Sequence, residues 1–236
     1  MEFGVARVRL VLACGLLVAL SAGLAPAVYA DSDSDAEDDD PFDRPGVYVG
    51  IGGAWGKSFT EKFATLTGTP EFDDLVDIES TGGLNARVGY RFYSWVAVEG
   101  MYEWMADFNT VSRVNQPALQ LMDGQTVWDL TTHTLTANLK LLVPFWRLQP
   151  YVLLGIGAQY RKLDAKVFFV DGDSGWAFAG RPGIGIDWYI TENLVMNLEA
   201  SGVLAPKEVK IKVNQIEGVI TDNVYMSLGA GLQYRF

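Results

Sequence analysis

His133 is the only histidine of the 236-residue chain, and it stands between two hydroxyls, Thr132 and Thr134. Histidine beside a hydroxyl is the pairing that activates an oxygen nucleophile, with an acidic third group to orient the ring. Here the alternation of the segment works against that chemistry. His133 is in phase with Leu135 and Ala137, so it is expected to face lipid with Thr132 and Thr134 beside it, and because position 135 is Leu there is no His-x-Ser pair. A histidine hydrogen-bonded to a neighbour is the expected role. The only cysteine, Cys14, lies near the N-terminus, and the acidic run over residues 31 to 45 lacks the glycine and terminal Glu of an EF-hand loop. GIGAQY and GIGIDW read as strand glycines and not as phosphate loops. The expectation is of no catalytic residue, no metal site and no cofactor.

A second set of residues has chemistry of another kind. Arg87, Glu99, Glu103, Lys140, Arg181, Asp187 and Glu199 are spaced through the chain with the two signs nearly balanced, each inside a segment whose alternate positions are free of charge. Placed on one inner surface they would form a polar cluster. Arg87 and Glu99 are equidistant from a turn near position 93, which predicts that they face each other across a hairpin, with Lys140 as third member of the cluster.

The elements that must position them are strands. At the C-terminus Val224, Met226, Leu228, Ala230, Leu232, Tyr234 and Phe236 alternate with Tyr225, Ser227, Gly229, Gly231, Gln233 and Arg235. A period of two means a strand. The same reading places strands near 46–56, 82–93, 95–106, 127–143, 148–161, 176–190, 193–204 and 223–236. Long polar connections (57–81, 107–126, 162–175, 205–222) alternate with tight links at Tyr93-Ser94, Phe145-Trp146-Arg147 and Thr191-Glu192-Asn193. That rhythm predicts an all-β, eight-stranded antiparallel transmembrane up-and-down barrel, with short periplasmic turns and long outer loops.

A soluble barrel with an apolar interior is the competing architecture. Aromatic placement argues against it. Phe92, Tyr93, Trp95, Phe145, Trp146, Tyr151, Trp188, Tyr189, Tyr234 and Phe236 gather at the short-turn end; Trp55, Trp104, Trp128, Tyr160, Trp176 and Tyr225 gather at the other. These predict two interfacial girdles. Trp95 and Trp104 are nine residues apart, a height of about 23 Å for a tilted strand, which suits an outer-membrane apolar band. Charge-bearing strand faces then belong inside, since a midplane Arg or Lys facing lipid costs about 2–4 kcal/mol. Pro182 falls inside a strand and removes a ladder donor, which predicts a bulge.

Residues 1–30 read as a signal peptide: Arg7 and Arg9, an apolar run from Leu10 to Leu20, and Val28-Tyr29-Ala30 before the acidic switch at Asp31, with cleavage between Ala30 and Asp31. The apolar run is shorter than the roughly 20 residues of a spanning helix. Loss of this segment removes Cys14 and leaves 16 basic against 28 acidic residues, a net charge of −12 against −11 for the whole chain. Disulfides are then excluded, and nucleic acid is an improbable partner. Residues 31–45 carry eight carboxylates and almost nothing apolar, so they are expected to form an acidic disordered periplasmic leader ahead of a barrel domain over 46–236.

GVYVGIGGAWG at 46 to 56, NARVGYRFYSWVAVEGMYEW at 85 to 104, QPYVLLGIGAQY at 149 to 160, GIGIDWYITENLVMNLEA at 183 to 200 and the final GAGLQYRF resemble the small outer-membrane β-barrel family that includes the OmpA transmembrane domain, OmpX and the Opa-type adhesins. The resemblance implies a multi-pass barrel in the bacterial outer membrane, in contact with lipid and lipopolysaccharide. It also implies that the terminal aromatic and its alternating partners, here Leu232, Tyr234 and Phe236, are the signal read by the barrel-assembly machinery. Relatives of this size that modify lipid A need a rim histidine with a hydroxyl nucleophile, the pattern that His133 does not complete. The expected function is non-enzymatic, a structural or surface-interaction role carried by the long loops toward a host or envelope ligand. Passive passage of small or hydrophobic solutes is the alternative. An eight-strand interior has room only for its own side chains, so the polar cluster is expected to plug the lumen.

Overall fold

The structure is a computed structural model that describes residues 41–58, 76–112, 122–166, 173–205, 209–213, 216–220 and 223–236. The proposed signal peptide, its cleavage point at Ala30 and Asp31, and most of the acidic leader lie outside the described residues.

Eight strands close a barrel: β1 (Gly46–Ser58), β3 (Thr81–Tyr93), β4 (Val96–Ser112), β5 (Thr126–Leu142), β6 (Leu148–Ala165), β7 (Asp173–Tyr189), β8 (Leu194–Ala205) and β11 (Asn223–Arg235). Each pairs antiparallel with its sequence neighbour, and β1 pairs with β11 to shut the cylinder. Closure is what permits a sheet to span lipid, because it leaves no backbone edge unpaired. Among the described residues no helix is long and apolar enough to cross a membrane.

The faces sort as the period of two requires. Ile51, Val88, Leu135, Ile156, Phe178, Ile184 and Leu232 are exposed on the outside, while side chains in the opposite phase such as Arg87, Thr134, Thr136, Ala177, Ala179 and Gln233 are buried within. Trp104, His133, Tyr160 and Trp176 stand opposite one another on β4, β5, β6 and β7 and form one aromatic row. One step further out, Lys162 pairs with Asp164 at 2.8 Å, both well exposed, so that row marks the upper edge of the apolar band. Four aromatics do not belong to the girdles. Tyr151, Tyr189, Trp128 and Tyr225 are buried in the interior; their height along the strands matched a girdle, but they share the phase of the polar residues.

The strands also run beyond the membrane at the long-loop end. The connection 57–81 contains β2 (Val76–Ile78), which pairs with the end of β4, and the connection 205–222 contains the hairpin of β9 (Val209–Val213) and β10 (Ile216–Ile220). A register shift between Met105 and Phe108 turns Phe108 inward and Asp107 outward, which carries β4 on to Ser112. Pro182 forms no bulge. The β7–β8 register is the same at Gly180↔Leu204 and at Gly183↔Ser201, and only the pairing of Arg181 and Pro182 with β8 is missing between them. A proline without an N–H interrupts a ladder without inserting a residue.

Candidate functional site in the barrel lumen

The lumen is built in three layers. At its middle lie the seven charged residues singled out above, all at most 5% exposed: Arg87, Glu99, Glu103, Lys140, Arg181, Asp187 and Glu199. Arg87 Nη1 donates to Glu199 Oε2 at 3.1 Å, and Arg181 Nη2 donates to Glu103 Oε2 at 2.8 Å and to Glu199 Oε1 at 3.2 Å. Glu199 therefore bridges two guanidinium groups, and it also accepts from the Tyr151 hydroxyl at 3.0 Å. Glu103 is held further by the hydroxyls of Tyr225 and Ser227, each at 2.9 Å.

The hairpin pairing differs by two residues from the expected one. The tight turn between β3 and β4 carries an irregularity between Arg91 and Tyr93, so Arg87 lies opposite Met101 and Glu99 opposite Gly89. Arg87 and Glu99 still meet diagonally at 3.8 Å, but the closer partner of Arg87 is Glu199 on the far side of the barrel. Lys140 does not join them. It donates to Asp187 at 2.6 Å and lies 3.9 Å from the centre of the Tyr151 ring. Asp187 also accepts from Asn197 at 2.7 Å. Glu99 is completed instead by Tyr48, whose hydroxyl donates at 3.1 Å, and by Asn138 at 3.4 Å.

Glycine makes room for the two tyrosines. A Cβ at Gly89 would lie 2.3 Å from the Tyr48 ring, and one at Gly185 would lie 2.4 Å from that of Tyr151. Both rings cross the lumen over a bare backbone.

At the long-loop end, beside the buried Thr132, Asp129 and Arg161, the interior holds an apolar cluster of Ala54, Met105, Phe108, Val203 and Tyr225, with Ile78 and Leu130 packed against it. At the short-turn end the plug comes from residues 41 to 45, the end of the stretch expected to form a disordered leader. Residues 41 to 45 belong to it by composition, yet Phe42 is 5% exposed and packs on Tyr189 and Val195. Its carbonyl accepts from Arg235 Nη1 at 2.7 Å, Arg91 Nη1 at 3.1 Å and Gln149 Nε2 at 3.3 Å, while Asp43 pairs with Arg91 at 3.4 Å. Arg91 also donates to the carbonyl of Ser94. One aromatic among eight carboxylates is enough to seat the end of the leader, because the barrel mouth offers an apolar wall and a ring of donors.

Arg91, Arg235, Gln149 and Asn197 complete the network and were not singled out from the sequence, and Tyr151 and Tyr225, expected in the girdles, join it; each shares the phase of the buried residues on its strand. His133 is elsewhere, on the outer face. Its Nδ1 lies 2.8 Å from the Tyr102 hydroxyl, and its ring neighbours Tyr160. Thr132 and Thr134 point into the lumen, so the histidine and the hydroxyls are on opposite sides of the wall. Among the described residues no group of His, Cys, Asp and Glu is arranged to hold a metal ion.

The family model described as outer membrane protein beta-barrel domain matches residues 13–236. The chain belongs to that family. It is thus a β-barrel protein of the bacterial outer membrane, and the apolar outer face is its contact with membrane lipid. Among solved structures it is similar to the outer membrane protein OprG from Pseudomonas aeruginosa, at 20% identity and a TM-score of 0.53 over 81% of this chain and 96% of that one. The solid-state NMR structure of the outer membrane protein AlkL is similar at 16% identity and a TM-score of 0.53, covering 88% of this chain and 95% of that one. Neisserial surface protein A aligns at 12% identity and a TM-score of 0.50, covering 82% and 99%. At these identities the likeness is one of fold. A search of curated proteins finds no match to the sequence.

Proposed function

We propose that this outer-membrane barrel is a non-enzymatic, closed scaffold whose work is done by the loops at its long-loop end, facing outward. The carrying observation is the filled lumen: the bridged pairs Arg87–Glu199–Arg181–Glu103 cross it at mid-height. An interior packed with paired charges stiffens the wall and leaves no continuous water path. The outer ends of β4 to β7 extend past the aromatic row at Trp104 and Trp176, which lifts the loops clear of the lipid. In this reading the outward rim also contacts lipopolysaccharide, Leu232, Tyr234 and Phe236 serve the barrel-assembly machinery, and a host or envelope ligand meets the loops. Planar-bilayer recording tests the closed scaffold: the expected result is no stable conductance, and steady large openings would overturn it. Loop deletion with adhesion and envelope-integrity measurements tests the surface role, which fails if neither changes.

One observation favours passive transport as a second reading. The wall lacks pairing between β7 and β8 at Arg181 and Pro182 without any change of register, so the seam there is held less tightly than its neighbours. A lateral passage for hydrophobic solutes would use it. Uptake of a hydrophobic dye into liposomes should fall in Pro182→Val if the seam opens, and equal uptake in both proteins removes this reading.

A further inference from the structure

Between the ionic middle layer and Phe42 lies a small, partly open cavity of about 20 Å³ whose lining includes Arg91, Lys140, Asp187, Tyr189, Gln233 and Arg235. That is the space of a single water-sized body. Its walls are unevenly charged. Asp187 is the one carboxylate among the lining residues, and it is already held by Lys140 at 2.6 Å and Asn197 at 2.7 Å. Arg91 has Asp43 at 3.4 Å. Arg235 has only neutral acceptors, the Phe42 carbonyl and the Tyr189 hydroxyl, and no carboxylate partner among the described residues.

Three buried donors of the lining residues have no protein acceptor among the described residues: Nε and Nη2 of Arg235 and Nε2 of Gln233, on side chains 2% and 4% exposed. A buried guanidinium without a counter-charge is costly, and unpaired buried donors in native proteins usually mark a water or an ion. Neutral water would satisfy the donors and leave the charge. A small anion would do both.

We propose that the cavity is a binding site for a monovalent, halide-sized anion, held by Arg235 and Gln233 in the field of Arg91 and Lys140. A space of about 20 Å³ suits one small ion better than phosphate, sulfate or an organic carboxylate. The site is independent of whether the loops bind a ligand or the β7–β8 seam opens.

The test uses the full chain folded in detergent. Crystals grown in sodium bromide should show one anomalous peak between Arg235 and Gln233. The thermal midpoint should rise with chloride or bromide concentration and stay flat in gluconate at the same ionic strength, as for any ligand of the folded state. Gln233→Glu places a carboxylate beside Arg235 and should abolish both the peak and the halide dependence while folding normally. Should that variant not fold, the bromide peak and the gluconate comparison on the unaltered protein decide alone. A cavity with no anomalous density and a midpoint equal in bromide and gluconate holds water, and overturns the proposal.

Discussion

Glu199→Ala is the sharpest probe of the lumen, because Glu199 is the one carboxylate among the described residues that bridges two guanidinium groups. Its oxygens accept from Arg87 at 3.1 Å, Arg181 at 3.2 Å and Tyr151 at 3.0 Å, with its side chain 1% exposed. Removing it leaves Arg87 with the neutral Asn85 at 3.4 Å and with Glu99 at 3.8 Å, outside hydrogen-bond distance, and leaves Arg181 with Glu103 alone. Arg181 already has Nε and Nη1 without a protein acceptor among the described residues, so there is no spare partner to compensate. Truncating one member of a buried pair costs about 3–5 kcal/mol, and for a domain of this size that is a fall in midpoint of roughly 6–20 °C. Equilibrium urea unfolding in lipid vesicles, followed by tryptophan fluorescence and heat-modifiable gel mobility, measures it. The double change Glu199→Ala with Arg87→Met should recover a good part of the loss, because it removes an orphaned charge as well as its partner. A single-variant loss within about 0.5 kcal/mol, the range of an exposed surface change, would mean that water already screens the network, and the closed-lumen argument would fall with it.

Four further outcomes are expected. Gly89→Ala places a methyl 2.3 Å from the Tyr48 ring, and should cost about 1–3 kcal/mol by overpacking in the same unfolding assay. Phe42→Ala removes the buried ring of the leader strap; limited proteolysis should then cut near residues 40 to 46, sites protected in the unaltered protein. His133→Ala breaks a contact with Tyr102 on the outer face, so stability should change by less than about 0.5 kcal/mol, and lipid A from cells carrying the variant should keep its mass. Lys140→Met strips Asp187 of its 2.6 Å partner while Asn197 remains, which should destabilise by about 3 kcal/mol without producing bilayer conductance.

The barrel was legible because membrane and lumen demand opposite chemistries on alternate residues. The run from Val224 to Phe236 states that alternation without a break, and of its inward partners Tyr225, Ser227, Gln233 and Arg235 are buried. Phase was the sounder guide. Tyr151 and Tyr189 were assigned by height to the girdle, yet each lies in phase with a buried polar residue, Gln149 and Asp187 respectively. Which charges pair was not legible. Two residues of register at the turn after Arg91 decide whether Arg87 faces Glu99 or Met101, and the contact with Glu199 spans 112 positions of sequence. The seating of Phe42 was hidden for a related reason. Local composition describes the leader alone, whereas its partners Arg91, Gln149 and Arg235 come from three strands far down the chain.

The strap at Phe42 has a consequence for the order of folding. Its shortest hydrogen bond joins the 42nd residue to the 235th, a separation of 193 positions, so the seating of Phe42 depends on the last strand to emerge. Until β11 has zipped against β1 there is no Arg235 in place to receive the Phe42 carbonyl. Burial of Phe42 is therefore tied to closure: a barrel that has closed seats the Phe42 carbonyl on Arg235, and one that has not closed leaves that carbonyl without its shortest donor.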